Sequence, residues 1–447
     1  MSTNHFQVII IGGGISGTSL MFTLSKYTDI SSIALVEKYD HIAPLNSNAK
    51  GNSQTLHSGD IETNYTIDKA AKVKTTALML ENYAKIYGYT EKYMFKIPKM
   101  VLGVGEKEVS YIKHRHQQFK ELYPYTELWD EDRLKEIEPK LLEERKESIC
   151  AMGTTKKYSA VDYGKISESF VENSQDLNPQ SKCFLNTKIT DIQEKNGKFT
   201  LISKDNKFTA DFVIVDAGAH SLMFAHEMGY GLEYSSLPIG GSFFFTNKKI
   251  ISSKIYTVQN PKLPFAAIHG DPDIVEDNKV RFGPTALAIP KLERYHTMRY
   301  KEVFDAVKPD MDLINSVCDI FKDADLRKYI IKNSFFEIPI IRESLFAAEV
   351  QKIIPTIQSK DLKYANGIGG LRPQVIHKKT RKLLLGEAKI DTKKGIIFNM
   401  TPSPGATSCL DTAIEDTKTI CSYLHKKFNE ELVCSELMTR SYPLYHS

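Results

Sequence analysis

The sequence predicts a mixed α/β fold, of the α+β kind, in which two domains each have a sheet of their own. Three observations lead to this prediction. The chain opens with a pattern of strand, glycine-rich turn, helix and strand, residues 237 to about 289 read as a series of short strands, and 447 residues are too many for one ordinary hydrophobic core. We expect one domain to be built on a parallel sheet and the other largely on an antiparallel sheet with helices.

The first forty residues carry the most specific pattern in the chain. Residues 8–11 are all β-branched, as is typical of a buried parallel strand, and a G-x-G-x-x-G turn follows at Gly12, Gly14 and Gly17. The first glycine permits a tight turn, the second lets the backbone approach a pyrophosphate, and the third lets helix and strand pack closely. A second strand ends near Glu37, whose carboxylate can accept a hydrogen bond from a ribose hydroxyl. The order of these parts predicts a Rossmann-like, dinucleotide-binding domain.

The sequence contains one fingerprint of this kind. Two other glycine-containing segments, residues 229–234 and 366–372, lack both its spacing and the helix that should follow. A flavoprotein that is reduced by NAD(P)H usually needs a second dinucleotide site. The single site therefore predicts that the nucleotide is FAD and that the substrate itself supplies the electrons.

The elements that follow are predicted from periodicity and from helix-capping residues. A helix is expected over residues 66–88, a strand over 99–105, and a short helix within 128–141 that Pro139 stops. Asp162 is placed to cap the N-terminus of the next helix.

The second half of the chain returns to the nucleotide domain after each interruption. Three strand candidates lie between residues 183 and 221, and the last runs into Ala217 and Gly218, where the backbone can again approach a ligand closely. Residues 295–356 are predicted to be helical, and strand-like segments then lead to a long C-terminal helix. We expect a discontinuous nucleotide domain (residues 1–75, 151–236 and 357–447) and a substrate-binding domain (residues 76–150 and 237–356).

Composition and charge narrow the class of protein. Hydrophobic residues make up 41% of the chain and charged residues 26%, which is typical of a soluble globular protein. The net charge of +4 is too small to argue for nucleic acid, and it permits loose contact with anionic lipid. The six cysteines form no CxxC motif and no zinc-like spacing with histidines, so we expect reduced thiols and no metal. No signal peptide and no apolar run of ~18 residues is evident, so we expect a cytoplasmic protein.

Four segments together resemble a known family. They are the G-x-G-x-x-G unit and the stretches "NSQTLHSGDIETNY" (52–65), "GGLRPQVI" (369–376) and "FNMTPSPGATSCL" (398–410). They resemble the D-amino-acid oxidase superfamily of FAD enzymes and, more closely, the malate:quinone oxidoreductase family. The resemblance covers essentially the whole chain.

The resemblance implies a set of FAD-binding residues. The polar stretch, residues 51–65, would surround the isoalloxazine ring and the pyrophosphate, with Asp60 and Glu62 capping the next helix or binding the stretch to itself. A helix N-terminus near Gly405 would direct its positive dipole end at the flavin. The implied FAD-binding residues are Gly12, Gly14, Ile15, Ser16, Gly17, Glu37, Lys38, Asn52, Ser53, Gln54, Thr55, Ile189, Ala217, Gly218, Gly405, Ala406 and Thr407.

The resemblance also implies a site for a hydroxy acid. Arg372, between glycines and a proline that favour a shaped loop, would bind a substrate carboxylate through two parallel hydrogen bonds. His57 and His269 are both candidates for the base that takes the hydroxyl proton, because an imidazole titrates near neutral pH. Gln54 is included among the substrate-binding residues, and a second cation is expected for a dicarboxylate. Lys156, Lys157 and Arg281 are candidates for that cation.

The activity that the resemblance implies is FAD-dependent oxidation of L-malate to oxaloacetate, with electrons passed to membrane quinone. Such an enzyme serves the tricarboxylic acid cycle and the respiratory chain, and we expect it on the cytoplasmic face of the inner membrane as a peripheral protein. Residues 326–346 mix aromatic, aliphatic and basic side chains, so they could contact lipid or could equally be a buried packing segment.

Three other functions stay open at this point. The same flavin and arginine could serve another 2-hydroxy acid, L-lactate or L-2-hydroxyglutarate. An amine oxidase would pass electrons to oxygen and make peroxide from amino acids. A flavin-binding regulator without activity would keep its yellow colour with all these substrates under anaerobic conditions.

Overall fold

The structure is a computed structural model that describes residues 3–259, 267–276, 278–297, 299–384, 388–400 and 405–438. Its strands are β1 (Thr3–Ile11), β2 (Ile33–Val36), β3 (Met94–Phe95), β4 (Lys99–Val104), β5 (Glu127–Trp129), β6 (Ile149–Thr154), β7 (Ala160–Val161), β8 (Lys182–Phe184), β9 (Ile189–Lys195), β10 (Lys198–Ser203), β11 (Lys207–Val215), β12 (Tyr234–Gly240), β13 (Phe244–Thr246), β14 (Lys254–Thr257), β15 (His269–Pro272), β16 (Val280–Gly283), β17 (Leu287–Ala288), β18 (Leu362–Tyr364), β19 (Leu371–His377), β20 (Lys382–Leu384), β21 (Ala388–Asp391) and β22 (Ile396–Met400).

The helices surround these strands. They are α1 (Ile15–Tyr27), α2 (Ile67–Ile86), α3 (Glu106–Phe119), α4 (Glu131–Ile137), α5 (Tyr163–Leu177), α6 (Ser221–Glu227), α7 (Tyr300–Val307), α8 (Met311–Lys322), α9 (Ala324–Phe335), α10 (Arg342–Val350), α11 (Cys409–Leu424) and α12 (Glu430–Val433). Within the described ranges, none of them is both long enough and apolar enough to cross a bilayer.

The nucleotide sheet has the order β21-β22-β11-β1-β2-β8, with β10 and β9 added beside β11. Strand β1 lies in its middle and pairs in parallel with β11 on one side and β2 on the other. Residues Val8, Ile9 and Ile10 are fully buried, because neighbouring strands and helices cover both faces. This burial on both faces explains the continuous β-branched run and confirms the predicted parallel sheet.

A second sheet has the order β18-β13-β16-β15-β14-β4-β6-β5. Its pairs are antiparallel except that β14 runs parallel to β4. Its core includes the buried Trp129 and the stacked rings of Phe244 and Phe346, whose centroids lie 4.1 Å apart. The short strands that the sequence predicts over residues 237–289 therefore form an antiparallel sheet, as expected, with α10 packed against it.

A smaller sheet, β17-β12-β19-β20, connects the two larger ones. Strand β19 follows the expected domain boundary at residue 357, yet it pairs with β12, and β18 pairs with β13 of the second sheet. We therefore propose the two domains expected from the sequence with one change. Residues 362–377 move from the nucleotide domain to the substrate-binding domain.

Helix boundaries follow the capping residues closely. The carboxylate of Asp162 accepts a hydrogen bond from Lys165 N at 3.0 Å, so the predicted cap of α5 is confirmed. Thr66 caps α2, so of the two roles expected for Asp60 and Glu62 the capping role is wrong, whereas Glu62 binds the stretch to itself through His57. The C-terminal helix begins at Cys409 and not near Gly405, because residues 405–408 form turns. Residues 401–404, part of the fourth family-like segment, lie outside the described ranges.

An aromatic cluster joins the helices beneath the nucleotide sheet. Phe22 of α1 meets Tyr83 of α2 edge-on at 5.0 Å, and Tyr83 contacts Phe170 of α5 at 4.3 Å. All three side chains are fully buried. The packing of α1, α2 and α5 therefore depends on these rings.

Replacing Phe170 with alanine should destabilise the protein by about 3–5 kcal/mol, because it removes buried surface and leaves a cavity. The measurement is urea unfolding followed by far-UV circular dichroism. Phe304→Ala is the matched control, since Phe304 is 61% exposed and its loss should change stability by less than about 0.5 kcal/mol. Equal midpoints for the two variants would contradict the assigned core.

Candidate active site

A long cleft lies at the carboxyl ends of β1, β2 and β11 and continues to the small sheet. Ligands bind at this edge of a parallel sheet because the loops that follow the strands converge there. Arg372 and His57 lie along the cleft together with most of the predicted cofactor residues: Gly12, Gly14, Ile15, Ser16, Glu37, Lys38, Asn52, Ser53, Thr55, Ile189, Ala217, Gly218, Gly405, Ala406 and Thr407. Gly17, Gln54 and His269 do not line it.

The glycine turn makes a cradle that only glycine can form. A Cβ on Gly12 would lie 2.3 Å from the carbonyl oxygen of Asp216, and a Cβ on Gly17 would lie 2.1 Å from that of Gly12. Gly14 is the N-cap of α1 and offers no capping side chain, and Gly14, Ile15 and Ser16 bring the N-terminus of the helix to the cleft, where Ile15 N donates to Ser47 Oγ at 2.9 Å. The arrangement fits a pyrophosphate.

Glu37 fixes this turn from the end of β2. Its carboxylate is buried and accepts hydrogen bonds from Gly13 N at 2.7 Å and from Tyr39 N at 3.0 Å. The next residue, Lys38, pairs with Glu293, which comes from the loop before α7. Residues from two distant parts of the chain thus enclose the end of the cleft where the predicted ribose contact lies.

The polar stretch is held in place largely by its own side chains. Asn52 donates to the carbonyls of Asn46 and Asn48, both at 2.9 Å. Gln54 is fully buried with φ +53°, and its amide donates to Ala49 O and to Asp273, each at 3.2 Å. The Gln54 amide is therefore occupied by protein partners and supports the stretch, while its neighbours line the cleft.

Two buried lysines support the polar stretch from below. Lys99 of β4 donates to Asp60 at 2.7 Å and to Ser58 at 3.1 Å. Lys254 of β14 donates to Thr55 and to Asp271, each at 3.0 Å. Neither lysine is among the residues predicted for the site. The available signal for each was a lysine at the start of a strand-like segment. The hydrogen-bond partners of both lysines are distant in sequence.

His57 forms a dyad with Glu62 within the polar stretch. The Nδ1 atom lies 2.7 Å from Glu62 Oε1, so Nε2 is left for another partner. Burial favours the neutral acid, but the hydrogen bond and charge of His57, aided by Lys99, hold the pKa of Glu62 below its usual value. The carboxylate fixes the imidazole with its proton on Nδ1 and with Nε2 able to accept.

His269 forms a second dyad, with Asp271. Its Nδ1 bonds to the carboxylate, and its ring stacks on Tyr256 at 4.4 Å. Tyr256 also meets the His57 ring edge-on at 6.3 Å, so it contacts both imidazoles. Burial lowers the pKa of His269, which is 5% exposed, and this favours the neutral imidazole.

Arg372 lies in strand β19 opposite Ile239 of β12, so the prediction that it sits in a loop is wrong. The strand is fixed to the loop just before the polar stretch, because Asn46 exchanges two hydrogen bonds with the backbone of Leu371, at 2.7 and 2.9 Å. Among the described residues, the buried Nη1 of Arg372 has no hydrogen-bond partner. A carboxylate is the ligand that such a guanidinium fits best.

The remaining predicted residues fall into two groups. Thr407 lies beside the dyad of His57, since its hydroxyl accepts from His57 N at 3.2 Å and shares a hydrogen bond with Tyr163 at 2.9 Å. The three candidates for a second cation lie elsewhere: Lys156 pairs with Glu127 at the surface, Lys157 lies over the Tyr125 ring, and Arg281 pairs with Asp273 in the interior.

Comparisons with known proteins agree with this geometry. Solved structures of similar fold include an L-α-glycerophosphate oxidase from Mycoplasma pneumoniae (TM-score 0.65, 17% identity, 95% of this chain and 96% of that chain) and a glycine oxidase from Geobacillus kaustophilus (TM-score 0.65, 13% identity, 99% and 100%). Their similarity supports the D-amino-acid oxidase-like fold.

Sequence comparison identifies much closer relatives. A probable malate:quinone oxidoreductase from Campylobacter jejuni is 48% identical over 98% of this chain and 100% of its own length. A malate:quinone oxidoreductase from Helicobacter pylori is 44% identical over 97% of this chain and 98% of its own length. The family model described as malate:quinone oxidoreductase (Mqo) matches residues 4–438. The chain therefore belongs to the malate:quinone oxidoreductase family.

Proposed function

We propose that this chain oxidises L-malate to oxaloacetate with bound FAD and passes the electrons to a membrane quinone, with the reaction taking place between Arg372 and His57. The observation that carries these roles is the buried guanidinium of Arg372, with one nitrogen lacking a hydrogen-bond partner, in the cleft that His57 also lines. Family membership supports malate and quinone as the substrates.

The residues that line the cleft would hold FAD along the whole length of the cleft. The cradle of Gly12 and Gly17 and the N-terminus of α1 suit the pyrophosphate, Glu37 suits the ribose, and the polar stretch suits the polar edge of the ring. When bound, FAD supplies the two-electron acceptor that oxidation of an alcohol carbon requires.

Arg372 would bind and orient one carboxylate of malate. A guanidinium forms two parallel hydrogen bonds with a carboxylate, and burial strengthens that attraction because water is excluded. Strand β19 holds the arginine in a fixed position, since it pairs with β12 along its length. Fixed orientation brings the hydroxyl-bearing carbon to a single position in the cleft.

His57 would accept the hydroxyl proton of malate on Nε2. A general base must lie within hydrogen-bonding distance of the proton that it takes. His57 lines the cleft, whereas His269 does not. Glu62, bonded to Nδ1, would stabilise the imidazolium that forms. His269, the other predicted base, contacts the same tyrosine and would support His57 through Tyr256.

The docking segment (residues 326–346) would bring the protein to the membrane. Its exposed apolar side chains include Ile331, 51% exposed, Phe335, 44% exposed, and Ile340, 92% exposed. Arg327 and Lys328 are exposed on the same segment and suit the anionic lipid of a cytoplasmic leaflet. We propose that this segment lies on the cytoplasmic face of the inner membrane, where the quinone is dissolved.

Anaerobic titration tests the function and the role of Arg372 together. Malate should bleach the yellow wild-type protein, and L-lactate, L-2-hydroxyglutarate and amino acids should not. Arg372→Ala should remain yellow, and its kcat/KM for malate should fall by about 30-fold or more, because losing a buried charged partner costs about 2–5 kcal/mol. Arg372→Lys keeps the charge and should lose less. Unchanged kinetics in Arg372→Ala would remove Arg372 from the site.

Single substitutions separate the two histidines. His57→Asn should lower kcat by about 10²–10⁴-fold and remove the loss of rate at acid pH, since the proton acceptor is gone. His269→Asn should lower kcat less and keep the acid limb. Stopped-flow measurement of flavin reduction at several pH values provides the comparison. A full rate with an intact acid limb in His57→Asn would assign the base elsewhere.

Vesicle binding tests the docking segment. Ile331→Glu combined with Ile340→Glu should weaken co-sedimentation with anionic vesicles by about tenfold or more, because burying one isoleucine contributes about 1.5–3 kcal/mol. Ile67→Glu is the matched control, because Ile67 is 52% exposed on α2, outside the segment. Activity with a soluble dye acceptor should stay normal in all variants. Equal binding of the double variant and the control would contradict this surface.

A further inference from the structure

Two buried lysines lie side by side beneath the polar stretch. Strands β4 and β14 run parallel, and their register places Lys99 directly beside Lys254. Both residues have no exposed surface. A buried ammonium is costly unless it is paired and hydrogen-bonded, so a pair of them at one place requires a specific reason.

Lys254 uses all of its hydrogen-bonding capacity. An ammonium has three donors, and here they meet Ser53 O at 3.1 Å, Thr55 Oγ1 at 3.0 Å and Asp271 Oδ1 at 3.0 Å. The first two acceptors belong to the polar stretch, and the third belongs to β15. Lys254 therefore connects the part of the chain that lines the cleft with the dyad of His269.

Asp271 transmits this connection to the imidazole. One carboxylate oxygen bonds to Lys254, and the other bonds to His269 Nδ1. Burial favours the neutral acid, but His269 and Lys254 hold the pKa of Asp271 well below its ordinary value. An ionised Asp271 can only accept, so the proton of a neutral His269 stays on Nδ1.

We propose that Lys254 is a positioning residue: it fixes the polar stretch at Ser53 and Thr55, it orients His269 through Asp271 with the imidazole proton on Nδ1, and its positive charge opposes a second proton on that ring. The inference rests on the proposed function only in that the polar stretch is taken to face FAD and malate. Lys99 makes no such connection, since its partners are Ser58 and Asp60.

The effect reaches the proposed base through Tyr256. The hydroxyl of Tyr256 donates to Thr55 Oγ1 at 2.8 Å, the same atom that Lys254 holds, and its ring contacts both His57 and His269. The groups that act on His269 are Asp271, which raises its pKa, and Lys254 and His57, which lower it. Burial lowers the pKa of Lys254 itself. Of the charged groups near it other than Asp271, Arg281 lowers this pKa and Asp273 raises it.

The test measures the titration of His269 directly. Protein labelled with ¹⁵N-histidine, with FAD bound, is titrated by NMR, and the His269 signals are assigned as those absent from His269→Asn. Lys254→Met should raise the midpoint of His269 by about one pH unit, because a nearby positive charge is removed. Lys99→Met is the matched control and should leave that midpoint within about 0.3 units.

A second variant covers the case in which Lys254→Met does not fold. Asp271→Asn should lower the His269 midpoint, because the favourable negative charge is lost. An unmoved midpoint in Lys254→Met, an equal shift in Lys99→Met, or a raised midpoint in Asp271→Asn would overturn the proposal. These measurements need no turnover, so failure of malate to reduce the protein would contradict the proposed function alone.

Discussion

The arrangement of the site depends on one constraint: a polar stretch that enters the interior must have every buried donor and acceptor satisfied. Residues 51–65 meet most of this requirement with side chains of their own, such as Asn52 and Gln54, and with lysines supplied by the second sheet. Among the described residues, two buried oxygens of the stretch, Glu62 Oε2 and Asn64 Oδ1, have no hydrogen-bond partner. Since the lysines belong to the second sheet, the stretch that lines the cleft is hydrogen-bonded to that sheet as well. The position of His57 follows from these hydrogen bonds.

The site lies where three sheets meet, and each contributes a different kind of group. The parallel sheet contributes backbone N–H groups and a carboxylate, which suit a nucleotide. The small sheet contributes the guanidinium of Arg372, and the antiparallel sheet contributes the lysines and the dyad of His269 and Asp271. Under the proposed function, the convergence of these groups from separate layers would hold a charged substrate beside a large cofactor.

Much of the fold and of the candidate site was predictable from local patterns in the sequence. Gly17 packs against the carbonyl of Gly12 in the same turn, and the cap at Asp162 acts on its own helix. The α/β fold and the family followed from such motifs, and His57 and Arg372 were found with them. Partners distant in sequence were not predictable: Gln54 was assigned to ligands, yet its amide bonds Asp273, 219 positions away, and the hydrogen bond of Lys254 to Thr55 spans 199 positions.

The place of Arg372 within a paired strand has a consequence for how this chain can vary. Side chains alternate between the two faces of a sheet, so a shift of register by one residue turns each of them to the opposite face. Strands β12 and β19 pair without interruption from Tyr234 opposite His377 to Gly240 opposite Leu371. Insertion or deletion of one residue in this pairing, between Arg372 and the rest of its strand or in the facing part of β12, would turn the guanidinium out of the cleft.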